Sequence, residues 1–192
     1  MRSAVLVVLV ALSAGAQPRP RPKGAPPAPT APAPVVNVDE AVRSLLSGYE
    51  YVPSKADFER LGPTAYPAVL AVVNDAKALT STRLRAVAAL SMVADPRAEA
   101  ALEALVFDAR AAVPMRAHAT QALGARAGGR AVPVLERVLE DANPELREAA
   151  VRGLTASRLP PARGLLTTQQ AKDPSPLVRD AAREGLERLG GK

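Results

Sequence analysis

The sequence predicts an all-α protein: an α-solenoid of stacked antiparallel helix pairs, with about four pairs plus a C-terminal half-repeat at 176–189. A motif recurs around one arginine at intervals of 31–33 residues, and periods of 20–50 residues are typical of solenoids. The motif keeps small residues at fixed positions, which suits closely packed helices. Aromatic residues make up only 3% of the chain, which disfavours a β-sandwich or barrel.

Residues 1–16 have the pattern of a secretory signal peptide. Arg2 supplies positive charge, 4–12 is apolar, and small residues at 14–16 suit cleavage before Gln17. The alternative is a membrane anchor, but a bilayer core of about 30 Å requires about 20 apolar residues. We therefore expect an exported protein, periplasmic or extracellular, with no membrane span after cleavage.

Residues 17–34 are rich in proline, with eight prolines in eighteen positions. Proline fixes φ and removes the amide donor, so we expect an extended, disordered linker instead of a helix or strand. Its role is open between a spacer, a ligand for a proline-binding groove and a basic tether to an anionic surface. A spacer is the simplest role for an exported chain.

The formal net charge of +6 comes mainly from the leader and the linker. Four basic and no acidic residues precede position 35, whereas 35–192 contains 21 basic and 19 acidic residues. Nucleic-acid binding requires a stripe of one sign, often with aromatic residues for stacking. We therefore expect no nucleic-acid partner. Because the chain has no Cys, disulfides and thiolate metal sites are also excluded.

Helical periodicity marks the solenoid domain, 35–192. Apolar residues at 41, 42, 45 and 46 predict a helix over 39–47 that ends at Gly48. Ser54 and Asp57 have the spacing of an N-cap with an acid at N3, which predicts a short helix ending at Gly62. A further helix is predicted over 63–77, with Pro67 in its first turns, where proline is tolerated.

The repeat is clearest when the units are aligned on their shared arginine, which is Arg83, Arg116, Arg147 and Arg179 in successive units. Alanine follows three residues later, alanine or glycine six later, and leucine seven later. Positions +3 and +7 share a helix face and +6 lies beside them, so each first helix presents small residues edged by a leucine. These columns are Ala86, Ala119, Ala150 and Ala182, then Ala89, Ala122, Gly153 and Gly185, then Leu90, Leu123, Leu154 and Leu186.

The second helices of the units align as well. Their shared apolar column consists of Val69, Leu102, Leu135 and Leu166. In the first three units the pattern continues three and four residues later, but the fourth has Gln169-Gln170 there. Polar residues are expected near the end of an array, where capping begins.

The segments DANPELREAAVRGL at 141–154 and DPSPLVRDAAREGL at 173–186 resemble a HEAT repeat of the short type also found in bilin-lyase-like proteins. The resemblance covers about 54–190 and implies an α-solenoid whose inner face binds proteins. It further implies a structural Asp/Arg ladder between units. Asp141 would pair with Arg147 or with a neighbouring unit's arginine. The ladder residues are Asp75, Arg83, Asp108, Arg116, Asp141, Arg147, Asp173 and Arg179.

The sequence contains no motif that indicates catalysis. His118 is the only histidine, and its column holds Arg85 in the preceding unit. One histidine without Cys does not build an ordinary metal site, so we expect a partly exposed packing residue. Gly128-Gly129 lacks the surrounding P-loop pattern and predicts a turn. Tyr49, Tyr51 and Tyr66 either cover the N-terminal end of the stack or form a binding hot spot.

We therefore expect a non-catalytic protein–protein interaction scaffold or adaptor, not an enzyme. It would be a monomer that holds no cofactor or metal and binds a protein partner on a concave face lined by the second helices. The alternative is a bilin-lyase-like or other enzyme activity carried by the repeats, and a third role is a structural tether. A dedicated acid, nucleophile or aromatic pocket would favour the enzyme.

Overall fold

Helices account for all the regular structure in the computed structural model, which describes residues 37–48 and 51–190. The prediction of an all-α fold is confirmed. The expected signal peptide (1–16) and linker (17–34) lie outside the described residues, as does Tyr49. The helices are α1 (Val38–Ser47), α2 (Lys55–Leu61), α3 (Ala65–Asn74), α4 (Thr80–Ala89), α5 (Arg97–Phe107), α6 (Val113–Ala127), α7 (Val132–Leu139), α8 (Pro144–Ser157), α9 (Pro160–Lys172) and α10 (Pro176–Gly190).

The helices form two layers. The first layer contains α1, α4, α6, α8 and α10, and the second contains α3, α5, α7 and α9, with α2 inserted between α1 and α3. Each second helix packs on the first helix of the next unit. This arrangement is the predicted stack of four pairs followed by one unpaired helix, α10.

Local signals set the ends of the N-terminal helices. The Asn37 side chain accepts a hydrogen bond from the Glu40 amide at 3.3 Å and caps α1, and α1 ends before Gly48 as predicted. The helix predicted over 63–77 is shorter than expected, since α3 covers only Ala65–Asn74. Gly62, with φ +70°, and the following proline form a 3-10 turn that delays its start.

Small residues allow a very close contact within the first layer. Ala86, Ala119 and the equivalent alanines are fully buried. A Cβ atom built on Gly124 of α6 would lie 2.6 Å from the Cα of Gly153 on α8. Only glycine allows the two backbones to approach this closely, so α6 and α8 pack directly against each other.

Side chains, more than backbone contact, join the second layer. Successive second helices have sparse direct contacts. The Arg97 guanidinium lies 4.7 Å from the centre of the Tyr66 ring, and that of Arg137 lies 4.2 Å from the centre of the Phe107 ring. Long side chains therefore make the contacts between second helices, whereas small residues make the contacts between first helices.

Candidate functional site

A large groove lies on the first layer. It has a volume of about 980 Å³ and crosses α4, α6, α8 and α10. A smaller groove of about 510 Å³ lies between α3 and α5 in the second layer. The expectation that the second helices line the binding face stays a prediction, and the larger of these two grooves lies on the first helices.

The groove lining includes one position of the repeat whose residue type differs in every unit. The position five residues after the aligned arginine holds Ala88, Gln121, Arg152 and Glu184 in successive units, and all four line the groove. The packing positions three and seven residues after the arginine, in contrast, keep the same residue type. Repetition therefore maintains the stack, while the groove surface differs chemically from one helix to the next.

His118 lies in the wall of this groove. It is half-buried on α6, and its Nδ1 lies 2.9 Å from the carbonyl oxygen of Pro114 one turn earlier. The sequence indicated a partly exposed packing residue. The exposure agrees with that interpretation, but the groove around the ring was not apparent from the column alignment.

Positive charge predominates along the groove. Arg152, Arg158 and Arg188 line it, with Glu184 as the one acidic lining residue. Arg152 forms an ion pair with Glu148 on the same helix. Among the described residues, neither Arg188 nor Glu184 has an ion-pair partner. The groove is suited to a ligand that carries negative charge.

The four aspartates of the expected ladder share one local role. Each accepts a hydrogen bond at 2.8–2.9 Å from the backbone N–H two residues ahead. A carboxylate in this position orders the turn before the next helix. The aspartates are Asp75, Asp108, Asp141 and Asp173.

The four arginines hold the chain around those turns in two ways. In the units with an Asp–Arg spacing of eight, Arg83 and Arg116 donate from Nε to Val73 and Val106 carbonyls at 2.9 Å. In the units with a spacing of six, Arg147 and Arg179 donate from Nη1 to the carbonyl of the aspartate itself at 2.8–2.9 Å. The difference in spacing therefore changes the acceptor.

Ion pairs between units connect only some of the ladder residues. Arg116 reaches Asp141 at 3.1 Å and Arg147 reaches Asp173 at 2.9 Å, so Asp141 pairs with the preceding unit's arginine. Arg83 and Asp108 are not joined. The fourth ladder aspartate, Asp75, pairs with Arg43 at 3.2 Å. The alignment missed Arg43 because an extra helix, α2, lengthens the first unit.

A second polar cluster surrounds Asp57 at the start of α2. Its Oδ2 accepts from the Tyr51 hydroxyl at 2.6 Å, the Ser54 amide at 2.8 Å and the Ser54 hydroxyl at 2.7 Å. The Tyr51 hydrogen bond, followed by those from Ser54, lowers the pKa of Asp57 to about 2. The Tyr51 pKa is raised, chiefly by the same bond. This cluster caps a helix, whereas Tyr66 is buried in the core.

The described residues contain neither a membrane-spanning helix nor a cluster of metal-ligating side chains. None of the helices combines the length and the apolar character needed to cross a bilayer. No group of three or more His, Asp or Glu side chains within 37–48 and 51–190 is placed to hold a metal ion.

Comparisons with known proteins support the repeat architecture. The family model for HEAT repeats matches residues 108–187. The fold is similar to a chain in the complex of CpcE and CpcF of phycocyanin lyase from Nostoc sp. PCC7120, with a TM-score of 0.55 and 22% sequence identity. The similarity covers 76% of this chain and 98% of that chain. No curated protein matches this chain in sequence.

These comparisons confirm the HEAT-like resemblance and correct one expectation. The chain was expected not to be an enzyme, because its sequence contains no motif that indicates catalysis. That inference is wrong, since a similar fold occurs in a phycocyanin lyase complex. At 22% identity the likeness shows the fold alone.

Proposed function

For a chain whose residues 108–187 are HEAT repeats, we propose a lyase-type function that uses the groove on the first helices. The groove would hold an organic ligand of the size and charge of an open-chain tetrapyrrole. A second protein would take part in the reaction. The observation that carries the proposal is a large groove in which one lining position holds Ala88, Gln121, Arg152 and Glu184 in successive units.

The size of the groove supports a ligand larger than an ordinary metabolite. Binding pockets for organic ligands have volumes of about 300–1,000 Å³, and this groove, at about 980 Å³, is at the upper end. Five alanines are among its lining residues, and its charged groups are mainly arginines. An extended, mostly apolar molecule with carboxylate groups matches both properties.

A protein partner is part of the proposal for two reasons. The similar structure is a complex of two chains, and the resemblance stated above implies protein binding by the inner face. We further propose that the protein is exported, on the basis of the signal-peptide pattern at 1–16.

The test is a titration of the purified protein with biliverdin, an open-chain tetrapyrrole, followed by its visible absorbance. Ala125 is exposed and lines the groove, so Ala125→Trp fills the groove without disturbing the core. Ala100 is exposed on α5, away from the groove, and Ala100→Trp is the matched control.

We expect saturable binding by the wild-type protein and by Ala100→Trp, and at least tenfold weaker binding by Ala125→Trp. Circular dichroism of each variant checks that the helices are intact. The proposal fails if biliverdin causes no saturable change, or if the two tryptophan variants bind it equally well.

A further inference from the structure

We infer that His118 presents an unprotonated Nε2 to the groove and, together with Arg152, selects a ligand that carries an N–H or O–H donor beside an anionic group. This inference rests on the proposed function for the place where the ligand binds. It goes further by naming the chemistry that the ligand presents to two residues.

The contact with Pro114 determines the tautomer of His118. A backbone carbonyl oxygen only accepts hydrogen bonds, so the Nδ1 that lies 2.9 Å from it must carry the hydrogen. In the neutral ring the Nε2 is then an acceptor. Since Nδ1 faces the backbone of its own helix and the residue lines the groove, Nε2 is the nitrogen available to a ligand.

Packing does not require a histidine at this position. The equivalent residues of the next two units are Ala149 and Ala181, and both are buried. An alanine methyl group is therefore enough for helix packing at this position. His118 has no other hydrogen bond to a described residue, so its second nitrogen is not used by the fold.

Arg152 is the residue that binds the anionic group of the ligand. It occupies on α8 the position that Gln121 occupies on α6, and Gln121 lies one turn from His118. His118, Gln121 and Arg152 all line the same groove, on two helices that pack closely at Gly124 and Gly153. A guanidinium has five donors, so Arg152 can retain Glu148 and still bind a carboxylate.

Because His118 is the only histidine, the imidazole signals in an NMR spectrum of the protein belong to it and report its tautomer directly. A long-range ¹H–¹⁵N spectrum of the untagged protein at pH 8 is expected to show a protonated Nδ1 and an unprotonated Nε2. A protonated Nε2 with an unprotonated Nδ1 would overturn the inference.

The ligand chemistry is tested with two fragments in the same spectrum. Pyrrole-2-carboxylate carries an N–H donor beside a carboxylate, and N-methylpyrrole-2-carboxylate lacks the donor. We expect the first to shift the Nε2 signal and the second to shift it at least fivefold less. Equal shifts, or none with either fragment, would contradict the inference.

Two substitutions distinguish the roles of the two ring nitrogens of His118. Gln places an acceptor near the position of Nε2, whereas Asn retains only a group near Nδ1. We expect His118→Gln to bind biliverdin within threefold of wild type and His118→Asn to bind it about tenfold more weakly, as when a ligand donor is left unpaired. Equal affinities of the two variants would refute the role of Nε2.

The outcomes distinguish this inference from the proposed function. If biliverdin binds and both His118 variants bind it like wild type, only the role of His118 fails. If biliverdin does not bind but pyrrole-2-carboxylate shifts Nε2 selectively, the donor-and-anion site stands and the tetrapyrrole-sized ligand fails. Arg152→Gln should weaken binding of the fragment, and an unchanged affinity would remove Arg152 from the site.

Discussion

Arg147 donates to both carboxylate oxygens of Asp173, from Nε at 2.9 Å and from Nη2 at 3.0 Å. The Asp173 side chain is only 2% exposed and that of Arg147 is 11% exposed. The hydrogen bonds from Arg147 also lower the pKa of Asp173. The pair joins α8 to the turn that precedes α10, so it connects the last two units through groups shielded from water.

We expect Arg147→Met to destabilise the protein by about 3–5 kcal/mol, because it leaves a buried carboxylate without its partner. Urea unfolding measures the change. Arg183→Met is the control: Arg183 pairs with Asp180 at 3.0 Å, with both side chains more than half exposed. Its effect should be below about 1 kcal/mol. Similar losses in the two variants would show that burial does not strengthen the ladder pair.

The contact between α6 and α8 predicts a strong effect of one methyl group. In Gly124→Ala the new Cβ would meet the Gly153 backbone, which cannot rotate away. The helices must separate, and we expect a loss of about 1–3 kcal/mol or more, as in overpacked cores. Gly164→Ala on α9 is the matched control, since no atom lies within 4 Å of its Cβ position.

Thermal unfolding followed by circular dichroism compares the two glycine variants. Alanine has a higher helix propensity than glycine, so Gly164→Ala should leave the stability unchanged or raise it by up to about 1 kcal/mol. If Gly124→Ala is as stable as Gly164→Ala, the close approach of α6 and α8 does not exist in solution.

Acid should remove the contribution of the Asp57 cluster. The pKa of Asp57 is about 2 in the folded protein, against 3.8 ordinarily. The unfolded state therefore binds a proton first as pH falls, and the stabilisation by the ionised carboxylate is complete above about pH 4 and is lost as pH falls towards 2. Denaturant unfolding should show a stability difference between wild type and Asp57→Asn that is constant from pH 5 to 7 and shrinks below pH 4.

Tyr51→Phe provides the control for that titration. It removes the hydrogen bond that contributes most to the lowered pKa, so the Asp57 pKa, followed by carboxyl NMR, should move up towards its ordinary value. A pKa that is the same in wild type and Tyr51→Phe would mean that the Ser54 hydrogen bonds and the Arg60 ion pair hold it down without Tyr51.

Export is predicted from the pattern at 1–16. Expression of the full chain in a bacterial host, followed by fractionation, should place the protein outside the cytoplasm with Gln17 as its first residue, as read by mass spectrometry. A version that starts at residue 17 should remain in the cytoplasm. Recovery of the full-length chain with Met1 in the cytoplasm would contradict the prediction.

The repeat could be predicted in detail because the packing positions recur. Ala119, Ala150 and Leu154 were assigned to the core from their columns, and all three are fully buried. A position that faces the neighbouring helix in every unit is under the same steric constraint each time, so its residue type repeats. The first unit was less predictable, because α2 interrupts it and shifts Arg43 out of the alignment.

The candidate site could not be assembled in the same way. Column alignment identifies positions that share an environment, and it passes over His118, Arg152 and Glu184 because each differs from its counterparts. Sequence reasoning suggested that such positions carry the function, but it placed the binding face on the second helices. Whether a non-recurring residue faces a groove depends on how closely the helices approach.

The sequence by itself determined the all-α class, the helix pairs, the small-residue stripe and the closing half-repeat, because each follows from local periodicity. Only the tertiary structure decided which layer carries the large groove, which arginine pairs with Asp141 and where His118 points. These features depend on the distances between helix axes. Those distances are set jointly by side chains of different units, such as Gly124 and Gly153, whose contact no single repeat contains.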